Sequence, residues 1–403
     1  MASAVSAETA AAFAGQLIDW QRQHGRHGLP WQNTRDPYRV WLSEIMLQQT
    51  QVSTVVAYYT RFLAAFPTVI ELANASEDDV LALWSGLGYY SRARNLHRCA
   101  QIVGDEYQGV FPSSQAALEQ LPGIGPSTAA AIASFCFGER VSIFDGNVQR
   151  VVARLLACDA DVSRSAGRRS LWQAAQQLLP EAEPAATLPS RMVAYTQGLM
   201  DLGATVCLPR QPACQRCPVL NLCQAHAQGR QQAYPFKTGK LKRTSEAWWL
   251  LALVYEGGAA IDVGAAADTT GVTASAITRS KRSACKAAGP ENAQLQFWLQ
   301  KRPQRGIWGG LHCLPVFASE AALQQVVQQL PDVQSCVAHS AIKHVLTHKD
   351  LLIHPVVVQV SSNAIDSQTL PGAWYTHWAA LGLPAPVRKW LDATFAPFVL
   401  SED

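Results

Sequence analysis

The sequence predicts two domains, the first all-α and the second α/β. Three observations carry this. Residues 1–225 place apolar side chains at three- and four-residue spacing in one segment after another. Four cysteines between positions 207 and 223 close that half. Beyond residue 243 the pattern changes to short strand-like runs with two helical segments among them. With 403 residues the chain is long enough for two full cores.

Composition excludes several classes. At 48% hydrophobic and 16% charged residues, the chain is not disordered. It has no run of about 18 apolar residues, so no membrane span is expected. The N-terminus is alanine-rich but carries Glu8 and Asp19 and lacks a positive start, unlike a secretory signal. A cytoplasmic protein is expected, and there ten cysteines suggest a metal site before disulfides. Residues 1–230 hold 18 arginines, 18 acidic residues and no lysine, so the formal +3 charge comes from the remainder. A nucleic-acid partner must be argued from local clusters and backbone donors, not from net charge.

In chain order, Arg39–Phe66 keeps helical apolar spacing throughout, and Ser76-Glu77-Asp78-Asp79 resembles a capping box opening a helix that runs to Gly86 and Gly88. A helix ending near Gln120 leads through Leu121–Thr128 (LPGIGPST) into a small-residue helix, Ala129–Phe135. An extended stretch, Ile143-Phe144-Asp145, meets the helix Val148–Leu156. Residues 226–243 turn to Gln, Gly, Pro and basic residues and read as a linker. Ala247–Tyr255, Leu295–Gln300, Gly310–Phe317 and His354–Val360 read as strands, and Ser319–Gln329 and Pro386–Phe395 as helices. Residues 257–293, poor in large apolar groups, read as a long loop.

Four motifs carry chemistry. Cys207, Cys214, Cys217 and Cys223 form C-x6-C-x2-C-x5-C, a soft four-sulfur set that suits a tetrahedral zinc or a 4Fe-4S cluster. Gly123 and Gly125 permit a tight turn before a helix start whose free N–H groups favour an anion, unless the turn merely joins two helices. Glu44 has Val40, Trp41, Leu47 and Gln48 as helical neighbours; loss of hydration there would raise its pKa and let it act as a general acid, the alternative being a buried Glu paired with an arginine. Asp145 and Asn147 precede a helix, where they serve as caps or as the second carboxylate that glycosidic-bond cleavage needs.

Together with Leu29-Pro30-Trp31, Trp41–Gln51, Gly86–Asn95 and Met200–Gly203, these segments resemble the adenine DNA glycosylases of the endonuclease III, helix-hairpin-helix superfamily. The resemblance implies an all-α helix-hairpin-helix glycosylase domain over 1–225, with its hairpin near 113–135 and an iron–sulfur loop at 207–223. A Nudix-like α/β mismatch-recognition domain over 244–403 would follow. It implies one 4Fe-4S cluster on the four cysteines. Glu44 would protonate adenine, Asp145 would stabilise the sugar cation and Asn147 would support it. Trp31 and Gln197 match adenine-pocket positions; Gln49 and Tyr89 match residues that wedge into or beside the duplex; Gln48 and Arg92 lie in DNA-contacting segments; Gly123, Gly125 and Ser127 match the phosphate-gripping hairpin. Thr347 and His348 lie where the family meets 8-oxoguanine, with Leu346 in place of an aromatic.

The implied partner is double-stranded DNA holding A:8-oxoguanine or A:G mismatches, bound by a monomeric, cytoplasmic enzyme that joins the nucleoid during repair. Bifunctional relatives carry a lysine where Ser127 stands, and no lysine precedes Lys237, so no efficient lyase activity is expected. That absence and the C-terminal domain oppose a glycosylase/lyase for oxidised pyrimidines. The carboxylate pair opposes a non-catalytic DNA-binding or redox-sensing protein. The string of glutamates of a Nudix hydrolase is missing after Gly310, which opposes nucleotide hydrolysis.

Overall fold

The computed structural model describes residues 5–239, 242–256 and 295–399. The expected loop 257–293 lies outside the described residues. The chain divides into two units, 1–83 with 91–240 and 84–90 with 241–403.

The first unit is helical, as expected. Its helices are α1 (Ala7–His24), α2 (Pro37–Leu47), α3 (Val52–Ala65), α4 (Val69–Asn74), α5 (Glu77–Trp84), α6 (Ser91–Tyr107), α7 (Gln115–Leu118), α8 (Pro126–Phe137), α9 (Gly146–Leu155), α10 (Ser165–Gln177), α11 (Leu188–Asp201) and α12 (Gln224–Ala227). Local chemistry sets many of their starts. Ser76 Oγ accepts from the Asp79 N–H at 3.1 Å ahead of α5, Asp36 caps α2 ahead of Pro37, and Thr68 with Glu71 forms a full capping box on α4. The apolar spacing of Arg39–Phe66 does not make one helix: it breaks after Leu47, and α3 begins at Val52. The core packs Phe13 and Leu17 of α1, Val148 and Val152 of α9, and Tyr195 and Leu199 of α11.

The expected linker is partly built into this unit. Tyr234 is 2% exposed in the helical core, and the Arg154 Nε donates to the carbonyls of Gln231 and Tyr234. The two units divide between 240 and 241, inside the expected linker.

The second unit is a sheet between helices. Its strands are β1 (Thr244–Glu256), β2 (Leu295–Lys301), β3 (His312–Cys313), β4 (Val316–Phe317), β5 (Val333–Ala338), β6 (Ile342–Val345), β7 (Lys349–Val360) and β8 (Ala373–Tyr375). Their order is β3-β2-β1-β7-β5, with β4 on β1, β6 on β7 and β8 on β2. The long strands β1 and β7 run parallel, Thr244 opposite Lys349 through Tyr255 opposite Val360. Leu251, Leu253, Val356 and Val358 pack with Leu323 and Val327 of α13 (Glu320–Val327). Phe297 meets Phe395 of α14 (Ala385–Val399) and Trp378 edge-on. The expected strand Gly310–Phe317 is split into β3 and β4 around Leu314-Pro315, because proline cannot continue the ladder.

Candidate active site

A cavity of about 470 Å³ opens in the helical unit, lined by residues of α1, the Arg26–Arg35 turn, α2, α8 and α11. Glu44 lines it from α2 and is half-buried. Burial pushes the Glu44 pKa up to about 8, and the negative charge of Asp145 adds to the shift. The two acids are therefore electrostatic neighbours, and at neutral pH Glu44 holds a proton. Among the described residues no arginine forms an ion pair with it, unlike the alternative reading.

Asp145 caps α9. Its carboxylate accepts from the backbone N–H of Asn147 at 3.0 Å and of Val148 at 2.8 Å, and from the Asn147 Nδ2 at 3.3 Å. The cap role and the exposed carboxylate coexist, since two oxygens offer more acceptor sites than the cap uses. The segment before it is clamped. Ser127 Oγ accepts from the Phe144 N–H at 2.9 Å, Gln176 Oε1 from the Ser142 N–H at 3.2 Å, and Trp172 stacks on Phe144 with centroids 5.4 Å apart. The Ser127 hydroxyl oxygen thus helps hold the Asp145 segment, and its own O–H is not used in this bond.

Arg150, 8% exposed, donates to Asn147 Oδ1 at 2.8 Å and to the carbonyls of Gly203 and Cys207, each at 2.7 Å. Gly203 is required by this contact, because a Cβ there would lie 2.6 Å from the Asn147 Cβ. On the cavity wall, Trp31 is nearly buried and meets Tyr59 edge-on. Gln197 Nε2 donates to Asp201 Oδ1 at 2.9 Å, and Arg26 grips the same carboxylate through Nε at 2.7 Å and its N–H at 2.9 Å. Since a carboxylate only accepts, the Gln197 amide nitrogen must face it, and the amide oxygen is left for the cavity. Asp201, Arg26, Arg150 and Arg154 were not anticipated from the sequence. The available signal for the last two was a pair of arginines four apart among the valines and leucine of α9.

The hairpin places Gly123 at φ +77°, where a Cβ would meet the Asn95 Cβ at 2.7 Å. Gly125, at the α8 N-cap, faces open space, so another chain's backbone can approach. Gln48 reaches Thr128 Oγ1 at 3.4 Å. Gln49 is exposed at φ +57°. Arg92 is 9% exposed and gives its guanidinium to the carbonyls ending α2, so the expected DNA contact is corrected to an internal one.

In the second unit, Thr347 and His348 are exposed at the tip of the β6–β7 turn. Tyr89 belongs to the segment that clusters there; it sits at φ +49°, and its hydroxyl lies 2.7 Å from Thr347 Oγ1. Ser85 and Tyr90 of the same segment donate to the Leu383 carbonyl, each at 3.0 Å.

Cys207, Cys214, Cys217 and Cys223 are free thiols within electrostatic reach of one another. Burial pushes Cys217 up to about 12, and the other three sulfurs add to it despite a hydrogen bond from the Val219 backbone. Four such thiolates can ionise together only around a cationic centre, which fits a metal group. Among the described residues, no three His, Cys, Asp or Glu side chains are arranged to hold a single metal ion.

Residues 42–177 match the model of the HhH-GPD superfamily of base excision DNA repair proteins, and residues 289–393 match the NUDIX domain. The chain is 31% identical over 387 residues to the adenine DNA glycosylase of Buchnera aphidicola subsp. Baizongia pistaciae, covering 94% of this chain and 96% of that one. It is 44% identical over 230 residues to the adenine DNA glycosylase of Homo sapiens, covering 55% and 40%. Among solved structures, a thermostable thymine-DNA glycosylase aligns with a TM-score of 0.47 and 26% identity, over 55% of this chain and 98% of its own. The near-complete match to the bacterial enzyme is decisive: the chain belongs to the adenine DNA glycosylase family.

Proposed function

We propose that this DNA glycosylase excises adenine mispaired with 8-oxoguanine or guanine in duplex DNA, by hydrolysis and without efficient strand cutting. What supports it most is the place of Glu44 on the wall of a cavity of about 470 Å³, roomy enough for a base, where burial and then the charge of Asp145 favour its acid form. An extruded adenine enters the cavity, where the Gln197 amide oxygen accepts from its exocyclic amine. Glu44 delivers its proton to a ring nitrogen and turns the base into a leaving group. Asp145, held by its own helix cap, stabilises the oxocarbenium-like sugar until water attacks, with Asn147 fixing the carboxylate. The hairpin at Gly123 and Gly125 holds a phosphate.

The four cysteines would hold the 4Fe-4S cluster. When bound, its iron–thiolate bonds fix the 207–223 loop, and Arg150 ties Cys207 to Asn147.

A single-turnover assay on duplexes with adenine opposite 8-oxoguanine, guanine and thymine tests this reading. Release opposite the first two, with strand breaks only after alkali, is the expected result. Release of oxidised pyrimidines, or strong borohydride trapping of DNA, would overturn it. We further expect Thr347→Ala with His348→Ala to narrow the preference for 8-oxoguanine over guanine by roughly tenfold, the worth of one or two hydrogen bonds. An unaltered ratio in the same assay would detach the β6–β7 turn from recognition.

A further inference from the structure

We propose that Arg92 is a positioning residue for base extrusion: it fixes the end of α2 so that Gln49 stands out in a left-handed backbone conformation. This rests on the reading of Gln49 as a side chain that enters the duplex. The last carbonyls of a helix have no partner within it, and a cation there also meets the negative end of the helix dipole. From α6, the Arg92 Nη1 lies 2.6 Å from the Ile45 carbonyl, 2.9 Å from that of Met46 and 2.6 Å from that of Gln48. Its Nη2 donates to Thr50 Oγ1 at 3.2 Å, and that hydroxyl donates to the Gln48 carbonyl at 3.3 Å. The residues on both sides of Gln49 are thereby held by one guanidinium.

Gln49 itself is exposed at φ +57°. A left-handed conformation is strained for a non-glycine residue, and glutamine has none of the local side-chain compensation of Asn or Asp. Such strain persists only where the surroundings over-determine it, and here the clamp on Gln48 and Thr50 does so. Glu44 lies in the last turn of α2 and Gln49 just beyond its Gln48 C-cap, so the clamp on this helix end holds the segment between the acid and the extruding side chain. Lysine cannot replace this grip, because a single ammonium lacks the fork that reaches several acceptors in fixed directions.

The test is a double-mutant cycle on the full chain with Arg92→Lys, Gln49→Ala and the pair. Two readouts are needed: the fluorescence rise of 2-aminopurine at the target position opposite 8-oxoguanine, and the single-turnover rate of adenine release. Each single variant should lose about tenfold in rate and most of the fluorescence rise, with the pair no worse than the weaker single. Multiplying losses in the pair, or a parental fluorescence rise in Arg92→Lys, would overturn the proposal. Should Arg92→Lys not fold by far-ultraviolet circular dichroism, Thr50→Val carries the same cycle, and independence from Gln49→Ala overturns the proposal equally. A parent protein that neither raises the fluorescence nor releases adenine would instead sink the glycosylase reading on which this one rests.

Discussion

Glu44→Gln is expected to lower the single-turnover rate of adenine release by about 10²- to 10⁴-fold, the usual contribution of a general acid, while mismatch affinity stays near that of the parent. The amide keeps the size and most of the polarity of the carboxyl but has no proton to give. The pH dependence follows from the same burial. Because the Glu44 pKa is raised to about 8, the acid form persists through neutrality and the rate should fall as pH climbs past that value. Stability should change in the same window. The folded protein holds this proton more tightly than the unfolded chain, whose carboxyl titrates near 4.5. The stabilisation is complete below about 4.5 and is lost as pH rises through about 8. Glu44→Gln removes that loss, so the variant should melt at a higher temperature than the parent above pH 8. An unchanged excision rate in Glu44→Gln would take the acid's role away from this residue.

Much of this site was legible because its chemistry is local. Glu44 is read from an apolar helical face, and Asp145 from its place before a helix. The hairpin is read from two glycines and a proline, and the sulfur site from four spaced cysteines. What stayed hidden is tertiary. The break after Leu47 leaves the apolar spacing of Arg39–Phe66 intact, since α2 and α3 each continue it. The clamp that holds the carbonyls at the break comes from Arg92, more than forty positions away. Asp201 reads as one polar residue in a glycine-containing motif until Arg26 and Gln197 converge on it. In the second unit, β5 and β6 alternate half-buried with exposed residues and include Gln334, Ser335, Lys343 and His344, too polar a mix to stand out as strands. They are recruited by pairing with the strongly apolar β7.

The second large effect is expected at Arg154, and it joins the sulfur loop to the reaction centre. This side chain is 2% exposed. Its guanidinium donates to the carbonyls of Leu208 at 2.7 Å and Pro209 at 2.9 Å, to that of Gln231 at 2.9 Å, and to Cys207 Sγ at 3.4 Å. One cation thus pins the first cysteine and the chain beyond the last one against α9, whose N-terminus carries Asp145. Arg154→Met keeps the packing of the stem but leaves those buried carbonyls without donors, each costing about 1–3 kcal/mol if left unsatisfied. The expected result is a large fall in melting temperature, with iron content and visible absorption of the purified protein greatly reduced. Excision should fall with them, because Arg150 reaches both Cys207 and Asn147 from the same helix. Arg154→Lys should lie between parent and Arg154→Met, its charge retained but most carbonyls unserved. Full iron loading with an unchanged melting curve in Arg154→Met would mean that the loop holds its sulfurs without α9, and the link from the sulfur site to the Asp145 cap would fall with it.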